Sequence, residues 1–446
     1  MNGAVGHTLA APFFVPPQLP ICYHRTVVVQ QQHEGSVEER EGVRTMIAKL
    51  KQKVAACTIA LAIVIATAWA VQDTLALAEA DAPVTRDCLL QGGHTQNKEG
   101  LILNRQHAAN WILNAQKATP NGGVSAWYNP STGYCPTSYP EVTGYIIPTM
   151  FDLFHLTGQK DYRDVAIKMA DWITSVQLPT GAVAAMDFST PYVFDTGQCI
   201  SGWVRTYKET KDARYLEAAE KAAGWLVGMQ RQDGSFPLTP FTRSTHTYHC
   251  RVSWMLLQLY ELARNSVYKD VAVRNLDWAL GLQKPNGWCV PTSRETTHFI
   301  AYAGRGMLEA SQITGNKAYL VFAQRLADAL IQLQLPNGML YGEYDEAWRP
   351  VVESSCLTGN LQTAIIWMRL YAITGDEKYG EAASKAVDYV LATQNIASLN
   401  PGINGSIAGS HPLSGSYSPN TYLSWGTKFL IDAVNLLLDP KRVLSG

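Results

Sequence analysis

The chain has 446 residues, with 36 Lys and Arg against 37 Asp and Glu and a formal net charge of −1. That balance excludes an electrostatic case for binding nucleic acid or for a main domain held on an anionic membrane. Length alone allows two domains, but an internal repeat from about 100 to 435 points to one large helical domain.

Residues 1–45 have no steady hydrophobic period and contain QQHEGSVEEREG, which reads as a disordered extension or a mis-assigned start. From Met46 the pattern changes to a basic MIAKLKQK, then VAACTIALAIVIATAWAV without a charge, then QDTLALAEA with small residues at Ala76, Ala78 and Ala80. Residues 46–80 therefore have the layout of a secretory signal peptide. The apolar run is also long enough to span a bilayer, so an uncleaved anchor is the competing reading, touching membrane only through 54–71. Either way the expected location is periplasmic or secreted, with inner-membrane anchoring as the variant. Residues 81–100 read as a linker and 101–440 as the folded domain. The cysteines beyond the cleavage site are Cys88, Cys135, Cys199, Cys250, Cys289 and Cys356. They lack metal-knuckle spacing and read as buried thiols.

The repeat begins with LILNRQHAANWILNAQ, ending at Gln116, and is clearest in YRDVAIKMADWITSVQ, Tyr162 to Gln177. It recurs at Tyr215 to Gln230, Tyr268 to Gln283, Tyr319 to Gln334 and Tyr379 to Gln394. Apolar residues recur at spacings of three and four with charges opposite, which predicts amphipathic helices. Gly181, Gly234, Gly287 and Gly338 follow four of them as turn residues. The closing Gln, present in every copy, is expected to bond loop backbone. Between the copies lie sparsely charged helices predicted at 143–156, 196–209, 250–263, 298–312, 358–372 and 421–437, and a helix apolar on most sides is one that other helices enclose.

Six enclosed helices alternating with six amphipathic ones resemble an all-α (α/α)6 toroid of six inner and six outer helices. Six-hairpin glycosidases and other carbohydrate-active enzymes share it, as do terpene-cyclase relatives. An open solenoid is the alternative. No DxDD or DDxxD cluster is present for a terpene cyclase. The stretch 395–420 is expected to close the ring or form part of its rim.

In such a toroid the loops entering the inner helices surround one end of the funnel. Counting back from the turn after each inner helix reaches Glu141, Asp195, His249, His298 and Thr358. Glu141 sits among Trp127, Tyr134, Tyr139 and Tyr145, and Asp195 between Tyr192 and Gln198. Two carboxylates with aromatics to carry sugar rings are what glycosidic cleavage requires. The resemblance extends to unsaturated glucuronyl hydrolases, and it implies Asp195 as general acid/base with Glu141 as its partner or as a sugar-binding carboxylate. Helix capping is the structural alternative for both, as core filling is for the aromatics. His246, His249 and Arg251, with Glu295 and His298, fit an acidic sugar. They also fit a uronate lyase or C5-epimerase, with His249 in the catalytic set. GEYDEAWRPVVESS offers Trp348 and Glu353 as a third wall, or is a solvated loop. The expected partner is an oligo- or polysaccharide, with uronate as one option. No metal and no cofactor is expected. A non-catalytic glycan-binding protein of polysaccharide export is the third reading.

Overall fold

The structure, a computed structural model, describes residues 97–237, 245–442, 444 and 446. Its helices, in chain order, are α1 (Lys98–Lys117), α2 (Pro140–Thr157), α3 (Lys160–Ser175), α4 (Val193–Thr210), α5 (Ala213–Met229) and α6 (Cys250–Ala263). They continue as α7 (Ser266–Leu280), α8 (Thr297–Thr314), α9 (Lys317–Leu333), α10 (Leu357–Thr374), α11 (Glu377–Leu391) and α12 (Ser424–Leu438). Odd-numbered helices bury one face and form an outer layer, while even-numbered ones are buried along most of their length. Each inner helix packs against the next, and α12 packs back on α2 and α1. The ring is closed, so the fold is an all-α (α/α)6 toroid and not an open solenoid.

The turns follow from local chemistry. Inner helices α2, α8 and α10 end in left-handed Gly158, Gly315 and Gly375, whereas Lys211 and Arg264 take the same conformation after α4 and α6. Asp212, Asn265, Asn316 and Asp376 then cap the following outer helices through their side chains. At the other end, Gly181, Gly234, Gly287 and Gly338 all have φ of +89°. A Cβ at Gly338 would strike the Lys385 carbonyl, so the chain needs glycine there for room as well as for φ.

The repeated Gln is a staple between outer helices. Gln177 Nε2 donates to Gly181 O in its own turn and to Ala218 O in α5, both at 2.9 Å. Gln230 and Gln334 repeat the pattern toward α7 and α11. Gln394 closes the circle, donating to Gly405 O at 2.6 Å and to Asn104 O of α1 at 3.2 Å. Gln394→Leu is therefore expected to cost about 1–3 kcal/mol by leaving buried carbonyls unpaired. Urea denaturation checks it, and an unchanged midpoint would remove the staple from the account.

Among the described residues, three antiparallel strand pairs tie the loops that enter the inner helices. They are β1 (Trp127–Tyr128) with β6 (Tyr422–Leu423), β2 (Arg294–Thr296) with β3 (Glu343–Asp345), and β4 (Ser355–Cys356) with β5 (Ser410–His411). The first pair joins the opening loop of the domain to its last inner helix, so it also closes the ring.

Three expectations are revised. The helix α1 begins at Lys98, inside the stretch read as linker. The membrane-spanning expectation is corrected to what the described residues carry: among them no helix is long and apolar enough to cross a membrane. The segments 1–45, 46–80 and 54–71 lie outside the described residues. Cys199, Cys250, Cys289 and Cys356 are buried free thiols, but Cys135 is exposed.

Candidate active site

The inner helices begin at the looped end, and their first turns form the floor of a cleft of about 260 Å³. Glu141 lies in the first turn of α2 and Asp195 in the first turn of α4. The capping positions are instead Tyr139 and Tyr192, neither of which makes a side-chain cap bond. Both carboxylates line the cleft together with Tyr139, Tyr145, Tyr192 and His298.

Tyr139 lies beside the two acids in the cleft lining, and burial, with the charges of Asp195 and Glu141, holds its phenol well above its usual range. Burial pushes both carboxyls above their usual range, the charge of Glu141 raises Asp195 further, and Tyr139 and Arg251 partly offset the rise at Glu141. Asp195 Oδ2 is buried and has no partner among the described residues.

The walls are aromatic. Phe194, Tyr248, Phe299, Tyr302, Tyr417 and Trp425 complete the lining with the residues above. Phe194 meets Tyr248 edge-on at 4.9 Å between centroids, and Tyr302 lies 4.5 Å from His298. Tyr417 comes from the long loop before α12 and accepts a hydrogen bond from Trp425 Nε1 at 3.0 Å. Flat apolar faces with hydroxyl edges suit the faces and rims of a sugar ring.

His298 Nδ1 donates to Gln362 Oε1 at 2.8 Å, which leaves Nε2 as an acceptor. Burial pushes its pKa down to about 3, so the imidazole is neutral near neutral pH. Among the described residues no group of three or more His, Cys, Asp or Glu could hold a metal ion.

A family model described as the Ulvan lyase N-terminal domain matches residues 197–361. Among solved structures, the chain is similar to an unsaturated glucuronyl hydrolase specific for heparin, with a TM-score of 0.63 at 14% identity over 78% of this chain and 99% of that one. The unsaturated glucuronyl hydrolase of Bacillus sp. GL1 gives 0.63 at 17% identity over 78% of this chain and 98% of that one. Cellobiose 2-epimerase from Bacillus thermoamylovorans B4167 gives 0.61 at 13% identity over 76% and 98%. The chain is a six-hairpin glycosidase-like (α/α)6 toroid. No curated protein matches it.

The toroid disperses the other sequence-derived candidates. Arg251 lies under the floor, fully buried, its guanidinium 5.1 Å from the Tyr302 ring and 5.7 Å from that of Tyr145. Gln198 accepts from Arg251 Nε at 2.6 Å. His249 is buried behind Tyr248 against Phe236, with both ring nitrogens unpartnered, and burial pushes its pKa down to about 3. His246 Nδ1 accepts from Tyr248 N, so Nε2 carries the proton and donates to Glu295 at 2.8 Å. That pair supports Tyr248, which stacks on His246 at 4.6 Å.

Trp127 is half-buried in β1, and Tyr134 is exposed at a turn tip. Trp348 packs edge-on against Trp288 at 5.1 Å and donates to Asn286 O, away from the cleft lining. Glu353 is exposed, and Asp345 in the same acidic stretch is paired with Arg349 at 2.7 Å. Sequence reasoning passed over Phe299, Tyr302, Tyr417 and Trp425. Tyr302 stands four residues after His298, one helical turn along the same face, and that spacing was the available signal.

Proposed function

We propose that this protein is a carbohydrate-active enzyme that acts on uronate-containing glycans by glycosidic hydrolysis. The observation that carries the reading is the pair Glu141 and Asp195 on one cleft floor, beside Tyr139 and under aromatic walls. Hydrolysis needs one acid holding a proton for the leaving oxygen and one ionised partner at the anomeric side. Asp195, raised by burial and by its neighbour's charge, is the proton donor, and Glu141, nearer to Arg251 in effect, is the ionised partner. His298 and the tyrosine hydroxyls position the ring. The uronate preference follows the family model for ulvan lyase and the hydrolases of the same fold. The domain is proposed to work outside the cytosol, on the strength of the signal-like stretch in 46–80.

Elimination is the second reading, favoured by the ulvan lyase match over α4 to the start of α10. It requires a base for the proton beside the carboxylate. Burial holds the Tyr139, Tyr145 and Tyr302 phenols well above their usual pKa, which works against a ready phenolate.

One assay separates the readings. Oligosaccharides that end in an unsaturated uronyl residue, and intact uronate polysaccharides, are incubated with the protein. Hydrolysis releases new reducing ends without creating ultraviolet-absorbing double bonds. A rise in ultraviolet absorbance from intact polysaccharide would instead establish elimination. Solvent deuterium taken up at constant chain length would establish epimerisation.

A further inference from the structure

Beneath the aromatic floor, the axis of the toroid is filled with charge. Lys428 pairs with Asp432 at 2.7 Å, and Glu309 holds both Arg305 at 2.8 Å and Arg369 at 2.9 Å. Arg205 bridges Asp152 and Glu209, each at 2.8 Å. Arg251 sits among these groups yet has no ion pair with a carboxylate among the described residues. It is held by other means. Its guanidinium packs against the rings of Tyr145, Trp254, Tyr302 and Phe429 at 5.1–5.7 Å, and its Nε donates to Gln198. Its Nη2 is buried without an acceptor.

Two of those contacts fix where the charge stands. Tyr145 follows Glu141 by four residues on α2, and Gln198 follows Asp195 by three on α4. Residues three and four apart on a helix share a face. Arg251 therefore lies one helical turn below both carboxyls, separated from the cleft by Tyr145 and Tyr302. A buried charge is retained only where an opposite charge compensates it. The nearby groups leave few candidates. Burial keeps the phenols of Tyr139, Tyr145, Tyr302 and Tyr417 protonated, and His298 is neutral. Lys428 is engaged with Asp432, and Asp187, before α4, is exposed.

We propose that Arg251 is a positioning residue whose otherwise uncompensated charge, one turn below Glu141 and Asp195, keeps the pair at one shared proton without touching the substrate. This rests on the reading of the pair as acid and base, but its first test does not need activity. The carboxyl carbons of isotope-labelled, substrate-free protein are titrated by NMR, with Glu141→Gln and Asp195→Asn used for assignment. Arg251→Met is expected to move the lower titration step of the pair up by about one unit or more, and Arg251→Lys to leave it near its native position. A step unmoved in Arg251→Met overturns the proposal.

If Arg251→Met does not fold, Arg251→Gln, which keeps an amide donor for Gln198 but removes the charge, takes its place. Its lower titration step is expected to rise by about one unit or more, and no rise overturns the proposal. In turnover, the acid limb of the kcat/KM profile should follow the NMR step with KM little changed. A tenfold rise in KM with the limb unmoved would mean that Arg251 grips substrate, which also overturns it. A shifted NMR step in a protein that turns over no glycan would refute the hydrolase reading and leave Arg251's role standing.

Discussion

Glu141→Gln and Asp195→Asn are each expected to lower turnover by about 10²–10⁴-fold, the range contributed by a positioned acid or base. The same variants are expected to be more stable than the native protein near neutral pH. The reason is linkage. Both carboxyls are raised in the folded state, chiefly by burial. The folded protein then holds protons that the unfolded chain releases. Stability falls as pH rises from the ordinary carboxylate range to the raised folded values, and each unit of upward shift corresponds to about 1.4 kcal/mol. An amide has no proton to hold and escapes that loss. Thermal unfolding of each variant beside the native protein, at neutral pH and near pH ~4, checks it. The gain should appear at neutral pH and vanish in acid. A variant that loses activity and also loses stability at neutral pH would mark the residue as structural. Such a site exchanges stability for reactivity, as expected where buried charge is kept for chemistry.

Glu309→Leu is expected to cost about 3–5 kcal/mol, because it strands two guanidiniums in the core. Glu309 accepts from Arg369 Nε at 2.9 Å and Nη2 at 3.1 Å, and lies 2.8 Å from Arg305 Nε. Although burial works against its charge, the two arginines hold its pKa below the usual range. Its stabilisation is therefore present above the ordinary carboxylate pKa and is lost as pH falls through the lowered folded value. Urea denaturation at neutral and acid pH measures both points, and the deficit of the variant should shrink in acid. The double variant Glu309→Leu with Arg369→Leu should recover part of the loss, since one stranded charge is then gone. A single-variant cost under about 1 kcal/mol would show that water reaches the axis and solvates the arginines.

The scaffold was readable because each of its parts repeats and each repeat has a local cause. The Tyr at the start of an outer helix donates to the Asp of the preceding outer helix, as Tyr215 does to Asp171 and Tyr379 to Asp328, both at 2.8 Å. The Gln at its end staples the next helix, and the Gly after it occupies a left-handed turn. Those jobs recur with the same spacing, so the period appears in the primary structure. The six enclosed helices were also legible, because a helix without a polar face must be surrounded.

The chain by itself thus determined an all-α ring and drew attention to the loops that enter its inner helices. Only the tertiary structure decided which residues from those loops share one cleft. Arg251 and His298 look alike in sequence, near the starts of neighbouring inner helices, yet one lies under the floor and the other lines the cleft. Depth along the axis depends on how each helix is set against its neighbours, and no local pattern encodes it. The same holds for Tyr302, Tyr417 and Trp425, which are indistinguishable from core aromatics until the ring closes around them. A helix's own pattern tells which face turns inward; what stands opposite that face is supplied by five other helices.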